Sequence, residues 1–236
     1  MRINIHARRG IIDSIPVAVS FFFVFASLGA LYQEKGIQLL DAALGTALIF
    51  AAPLQVTGVD VVSNGQIVAA LALTVLVNFR FLFMSMVASQ YFVGVAKAKV
   101  LFSMLMFSAS TYAVTHYHLK SSGVRNGASQ FRYYLGVSVP SYLVAITATI
   151  FGFLLSSRVD YASIEMFMVM ILPLHFTALT AKNSGQGFTV LATLIGGLCA
   201  PLLIELDSVW LMVGLPVVVG YFLAVRDISS NRRGVS

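Results

Sequence analysis

Pro53-Leu54-Gln55-Val56-Thr57, followed by Asn64-Gly65-Gln66, returns about 120 positions later as Pro173-Leu174-His175-Phe176-Thr177, followed by Asn183-Ser184-Gly185-Gln186. Upstream of each copy stands another proline in an apolar run: Ser14-Ile15-Pro16-Val17 with Gly29 after it, and Ser138-Val139-Pro140-Ser141 with Gly152 after it. Proline removes a backbone donor and crowds the preceding turn. In lipid no water is at hand for the carbonyl it frees. Paired, interrupted hydrophobic units are how many carriers build a substrate site, between discontinuous helices at a repeat interface. The pattern therefore predicts helix breaks at Pro16, Pro53, Pro140 and Pro173. It also reads as an internal repeat of residues 11–93 and 136–225, or 11–116 and 131–225 when the intervening span is included.

Composition sets the solvent. Of 236 residues, 58% are hydrophobic and only 10% charged, with mean hydropathy +0.89. A soluble domain carries roughly a quarter charged residues, so most of this surface must face lipid. The expected fold is an all-α polytopic membrane protein forming one domain over 1–236. The formal charge of +6 sits in short loops and at the ends rather than in a stripe, which is orientation signal and excludes a nucleic-acid partner. Cys199 is the single cysteine and has no metal-ligand spacing around it. The apolar run from Ile15 to Tyr32 outlasts the core of a cleaved signal and reads as a retained first span.

Apolar runs predict about eight spans: 14–32, 41–62, 67–92, 100–116, 131–155, 164–181, 188–206 and 209–225. Arg2, Arg8 and Arg9 before the first span, Lys120, Arg125 and Arg132 between spans four and five, and Arg226, Arg232 and Arg233 at the end favour both termini in the cytoplasm. Lys97 and Lys99 fall outside in that scheme. If span two or three is re-entrant instead, they move inside and the repeats become inverted.

Within the spans a few polar groups carry the chemistry. Asn78-Phe79-Arg80 lies near the middle of the third apolar run. An arginine at mid-bilayer costs about 2.5–3.5 kcal/mol on the mildest scale, so it must face an interior, a cavity or an opposite charge. Its planar fork suits a carboxylate. Arg80 is thus a candidate ligand for a solute carboxylate, with Asn78, Gln55, Thr57, His175 and Thr177 around it. The competing reading is a permanent ion pair with Asp60. Asp60 and His175 are the candidates for proton coupling or charge balance, although His175 serves equally as a neutral partner for a freed carbonyl. Tyr133, Tyr134 and Trp210 read as interface aromatics, and His116 and His118 as interfacial. There is no phosphate loop, His-Glu-x-x-His, Gly-x-Ser-x-Gly or paired cysteine, so neither an enzyme, a cofactor nor a metal is expected.

The order of these signals resembles the AzlC family, the large subunits of bacterial branched-chain amino acid exporters. Phe50-Ala51-Ala52-Pro53-Leu54-Gln55 is similar to its Ala-Gly-Ala-Ser-Gln-Phe, Asn78-Phe79-Arg80-Phe81-Leu82 to its Asn-x-Arg-His-Leu, and Met170-Ile171-Leu172-Pro173 to a later Leu-Pro. The departures are Ala52-Pro53-Leu54 for Gly-Ala-Ser, Phe81 for the histidine, and Ser110-Thr111-Tyr112 for Thr-Asp-Glu in the fourth span, which removes the acids. The resemblance implies a multi-pass protein of the bacterial inner membrane. It further implies proton-driven export of valine, leucine or isoleucine with a small AzlD-type membrane subunit of about four spans. The lost acids leave room for another small solute; a channel and a non-transporting scaffold subunit are the alternative readings.

Overall fold

Asn4 opens the first helix: its side chain accepts from the N–H of His6 at 3.1 Å, satisfying one of the donors a helix start leaves bare. In this computed structural model, residues 4–63, 65 and 67–156 are described, with single positions 191, 194, 195, 198, 218, 219 and 222. The described elements belong to one compact unit, Met1–Leu172. Spans six to eight, Pro173, His175, Thr177, the second half of the repeat and the side chain of Asp60 lie outside the described residues.

Seven α-helices and two 3-10 turns make up these elements: α1 (Ile5–Glu34), α2 (Leu39–Ile49), α3 (Ala52–Ser63), α4 (Ile67–Ser89), α5 (Lys97–Ser103), α6 (Ala109–Ser121) and α7 (Gly127–Ser156). The 3-10 turns Gln90–Phe92 and Met104–Met106 follow α4 and α5. Among the described residues there is no strand. α1 and α7 have 30 residues each, about 45 Å, and both are long and apolar enough to cross a bilayer.

The prolines divide into two kinds. α1 runs unbroken through Pro16 and α7 through Pro140, contrary to the expected breaks. Serine hydroxyls bond back to nearby carbonyls, Ser14 to Ile11 at 2.7 Å, Ser20 to Pro16 at 3.0 Å and Ser141 to Val137 at 2.8 Å, but the carbonyls the prolines free, those of Ile12 and Gly136, are not among these acceptors. The second span does break, at Phe50 and Ala51, just ahead of Pro53. Pro53 then sits in the first turn of α3, where a missing N–H is harmless. Phe50 takes a left-handed conformation with φ 39°, uncommon for a side chain of its bulk. Its ring offsets that strain, buried against Phe21, Phe25 and Tyr142 at centroid distances of 5.6, 5.8 and 5.1 Å.

The fourth span, expected to be continuous, breaks as well. Phe107 and Ser108 are extended between the 3-10 turn and α6. Ser108 starts α6 with a capping box: its hydroxyl accepts from the Thr111 N–H at 3.2 Å while its own N–H donates to the Thr111 hydroxyl at 3.0 Å. No proline is involved.

α1 and α7 make the most extensive contact in the unit. A Cβ built on Gly10 would strike the Tyr133 carbonyl, one on Gly136 the Ala7 carbonyl, one on Gly29 the Thr149 carbonyl and one on Gly152 the Ala26 carbonyl. Glycine at these four places lets the backbones touch. Contacts rise together along both chains, so α1 and α7 run parallel. Outward, α1 presents Ile11, Ile12, Ile15, Val19, Phe22 and Phe23, and α4 presents Val68, Leu71, Val75, Phe79, Leu82 and Phe83, surfaces suited to lipid. Phe21 of the Phe21-Phe22-Phe23 cluster turns inward.

Candidate functional site

Each break leaves carbonyls without helical acceptor duty, and α7 supplies a tyrosine to each. The hydroxyl of Tyr142 donates to Ala47 O, in the last turn of α2, at 2.7 Å. The hydroxyl of Tyr134 donates to Ser103 O, at the end of α5, at 2.8 Å. Tyr134 and Tyr133 are buried to 1% exposure, so they are packing and bonding residues rather than the interface aromatics expected.

At the α2–α3 break the polar centre is Gln55, in the first turn of α3 and 2% exposed. Its Oε1 accepts from the Tyr32 hydroxyl of α1 at 3.0 Å and from the Thr46 hydroxyl of α2 at 3.1 Å. Thr46 in turn lies 3.0 Å from the Thr149 hydroxyl of α7. Three helices therefore meet at one amide, with α7 joined to it through Thr46, and the amide's Nε2 is buried with no hydrogen-bond partner. Thr57, two residues on, faces outward and bonds its hydroxyl to Pro53 O at 2.8 Å, serving the backbone next to the break.

Arg80 lies within α4, about 20 Å from its start and about 14 Å from its end. It is partly buried, with Nε shielded from solvent and unpartnered, and Asn78 Oδ1 on the same helix is likewise buried and unpartnered. The guanidinium carbon stands 5.1 Å from the Phe81 ring centroid, and Phe81 packs edge-on against Phe107 at 6.2 Å. Among the described residues no carboxylate lies within ion-pair distance of Arg80. No hydrogen bond joins Arg80, Asn78 and Gln55 to one another in that set.

Sequence reasoning passed over a third cluster. Asp13 Oδ2 accepts from the Tyr133 hydroxyl at 2.8 Å and from Arg9 Nε at 3.2 Å, and lies 3.8 Å from His118 Nδ1. The His118 ring stacks flat on Tyr133, with centroids 3.9 Å apart and planes at 9°. His116 bonds the Tyr91 hydroxyl at 3.1 Å. The Asp13 group ties α1, α6 and α7 together at one end of the unit. No cluster of histidine, cysteine and carboxylates able to hold a metal exists among the described residues.

The family model described as AzlC protein matches residues 16–159, well over half the chain, and takes in both breaks, Gln55, Asn78 and Arg80. The chain belongs to the AzlC family. Its members are membrane transport proteins, which agrees with the apolar outer faces of α1 and α4. The AzlC match leaves out Asp13 at one side and His175 and Thr177 at the other. No curated protein and no solved structure matches the chain. Ser110-Thr111-Tyr112 falls in the first turn of α6. Thr111 closes the capping box there with its hydroxyl.

Proposed function

We propose that this protein is the large subunit of a two-component secondary exporter of small neutral amino acids, with valine, leucine and isoleucine the leading substrates. It works by alternating access in the bacterial inner membrane with both termini cytoplasmic, beside a small AzlD-type subunit. The observation that carries the reading is Arg80: a guanidinium on an apolar helix, its Nε buried and unpartnered, is a standing site for an anion. Arg80 holds the solute carboxylate, Asn78 and Gln55 orient it, and Thr57 supports the break. His175 and Thr177 furnish the matching half-site, and Asp60 balances Arg80 or relays protons.

The fold supports this reading in two ways. If α1 and α7 both cross, their parallel direction calls for an odd number of crossings between them; counting α2–α3, α4 and α5–α6 as one each gives three, in keeping with eight crossings and parallel repeats. Discontinuous spans beside the charged residue are the usual carrier device. Counter-transport of labelled valine or leucine in reconstituted vesicles containing both subunits tests it. Arg80→Ala abolishes exchange while the protein stays in the membrane; unchanged exchange overturns the role. The scaffold alternative predicts that Arg80→Asp combined with Asp60→Arg keeps function, whereas a channel gives flux that does not saturate.

A further inference from the structure

The strongest unexplained group in the described residues is the amide nitrogen of Gln55. The residue is 2% exposed, and its partners Thr46 and Thr149 are 0% exposed. A buried donor without an acceptor is costly and is retained at few places without a use.

Proton counting decides what the amide lacks. With Oε1 toward the hydroxyls, Tyr32 and Thr46 both donate to it. Thr149 donates to Ala145 O at 3.0 Å, so every hydroxyl proton has an acceptor and only Nε2 is idle. With the amide reversed, Nε2 would donate to Tyr32 and Thr46, Thr46 to Thr149 and Thr149 to Ala145. The Tyr32 proton would then have no acceptor among the described residues, and Oε1 would be idle too. The first arrangement leaves one unmet group and the second leaves two. The missing partner is therefore an acceptor.

The surroundings favour the same charge. Gln55 stands in the first turn of α3, a helix of 12 residues, and bonds back across the break to Thr46. There the N–H groups of Ala52 and Leu54 precede the first intrahelical bond, made by Gln55 N to Ala51 O at 3.0 Å. A helix start carries partial positive charge. No acid occupies that first turn.

We propose that Gln55 Nε2 and the α3 N-terminus form a carboxylate-binding point for the transported solute, held in place by Tyr32, Thr46 and Thr149 as positioning residues. This rests on the exporter reading. α3 ends at Ser63, α4 starts at Ile67, and the two helices pack together. Gln55 lies about 12 Å from the end of α3 and Arg80 about 20 Å from the start of α4. Helical side chains lean toward their own N-terminus, so Gln55 leans away from the α3–α4 junction and Arg80 toward it. The two approach one level from opposite directions, and one carboxylate is met by the guanidinium and by the amide.

Gln55→Glu tests this, because it keeps an acceptor for Tyr32 and Thr46 and replaces the idle donor with an anionic oxygen. In vesicles of wild-type protein with its small subunit, valine exchange is the reference. Gln55→Glu raises the KM for valine about a hundredfold by like-charge repulsion and restores exchange toward valinamide, whose amide donates where a carboxylate cannot. Gln55→Met, which adds no charge but removes both the donor and the acceptor of Tyr32 and Thr46, raises the KM for valine about tenfold with kcat near wild type; it carries the test should the glutamate variant not fold. Wild-type exchange with an unaltered valine KM in Gln55→Met overturns the carboxylate point while leaving the exporter reading intact. Absence of valine exchange in the wild type overturns the exporter reading itself.

Discussion

The hydroxyl of Tyr133 donates to Oδ2 of Asp13 over 2.8 Å, joining positions 120 apart in the chain. The same oxygen takes Arg9 from α1 and lies near His118 from α6, and the backbones beside it are already in contact through Gly10 and Gly136. Tyr133→Phe leaves the packing and removes one bond to a charged acceptor, at about 1.5–3 kcal/mol. Denaturant titration of the purified protein in detergent reads this as an earlier midpoint. Asp13→Ala, which strands Arg9, Tyr133 and His118 together, shifts the midpoint further.

Gly152 meets the Ala26 carbonyl so closely that no Cβ fits. Gly152→Ala therefore forces α1 and α7 apart and costs about 1–3 kcal/mol or more. The same change at Gly58, with open space around it, is tolerated. Monodisperse protein recovered from size-exclusion chromatography separates the two.

Phe50 carries positive φ and a buried ring together. Phe50→Ala loses the ring, about 3–5 kcal/mol, and keeps the left-handed strain. Phe50→Gly loses the same ring and relieves about 1–2 kcal/mol of that strain. Glycine is accordingly the milder substitution of the two, the reverse of their order inside a helix, and thermal unfolding in detergent ranks them.

Tyr142→Phe and Tyr134→Phe each remove a hydroxyl from a carbonyl at a break. Each lowers stability by about 1–3 kcal/mol, the cost of an unmet buried acceptor. Hydrogen exchange rises locally, at the end of α2 for the first variant and at the end of α5 for the second.

Apolar counting located α1, α4 and α7 because a span of lipid needs an uninterrupted hydrophobic run. It stopped short of the polar first turns of α1, which Asn4 caps into helix. The break ahead of Pro53 was legible because proline cannot continue the chain of bonds from α2. Pro16 and Pro140 look like Pro53 in sequence, yet their helices run on, because one lost i→i−4 bond in a long helix packed along its length is a small part of what holds it. The Phe107–Ser108 break carried a weaker signal, a serine with a threonine three places later, which only a capping box explains. Gln55, Asn78 and Arg80 stood out as polar residues in apolar runs. Tyr32, Thr46 and Thr149 are unremarkable residue types, and their role depends on which helices meet. Asp13 precedes the first apolar run, where polarity draws no notice.

The glycine contacts between α1 and α7 also constrain motion. Backbones that touch at both ends with no side chains between them cannot slide or roll without collision, so the two helices turn as one rigid spar. Bending within this unit is left to the jointed segments around Phe50 and Ser108, with that spar as the fixed axle.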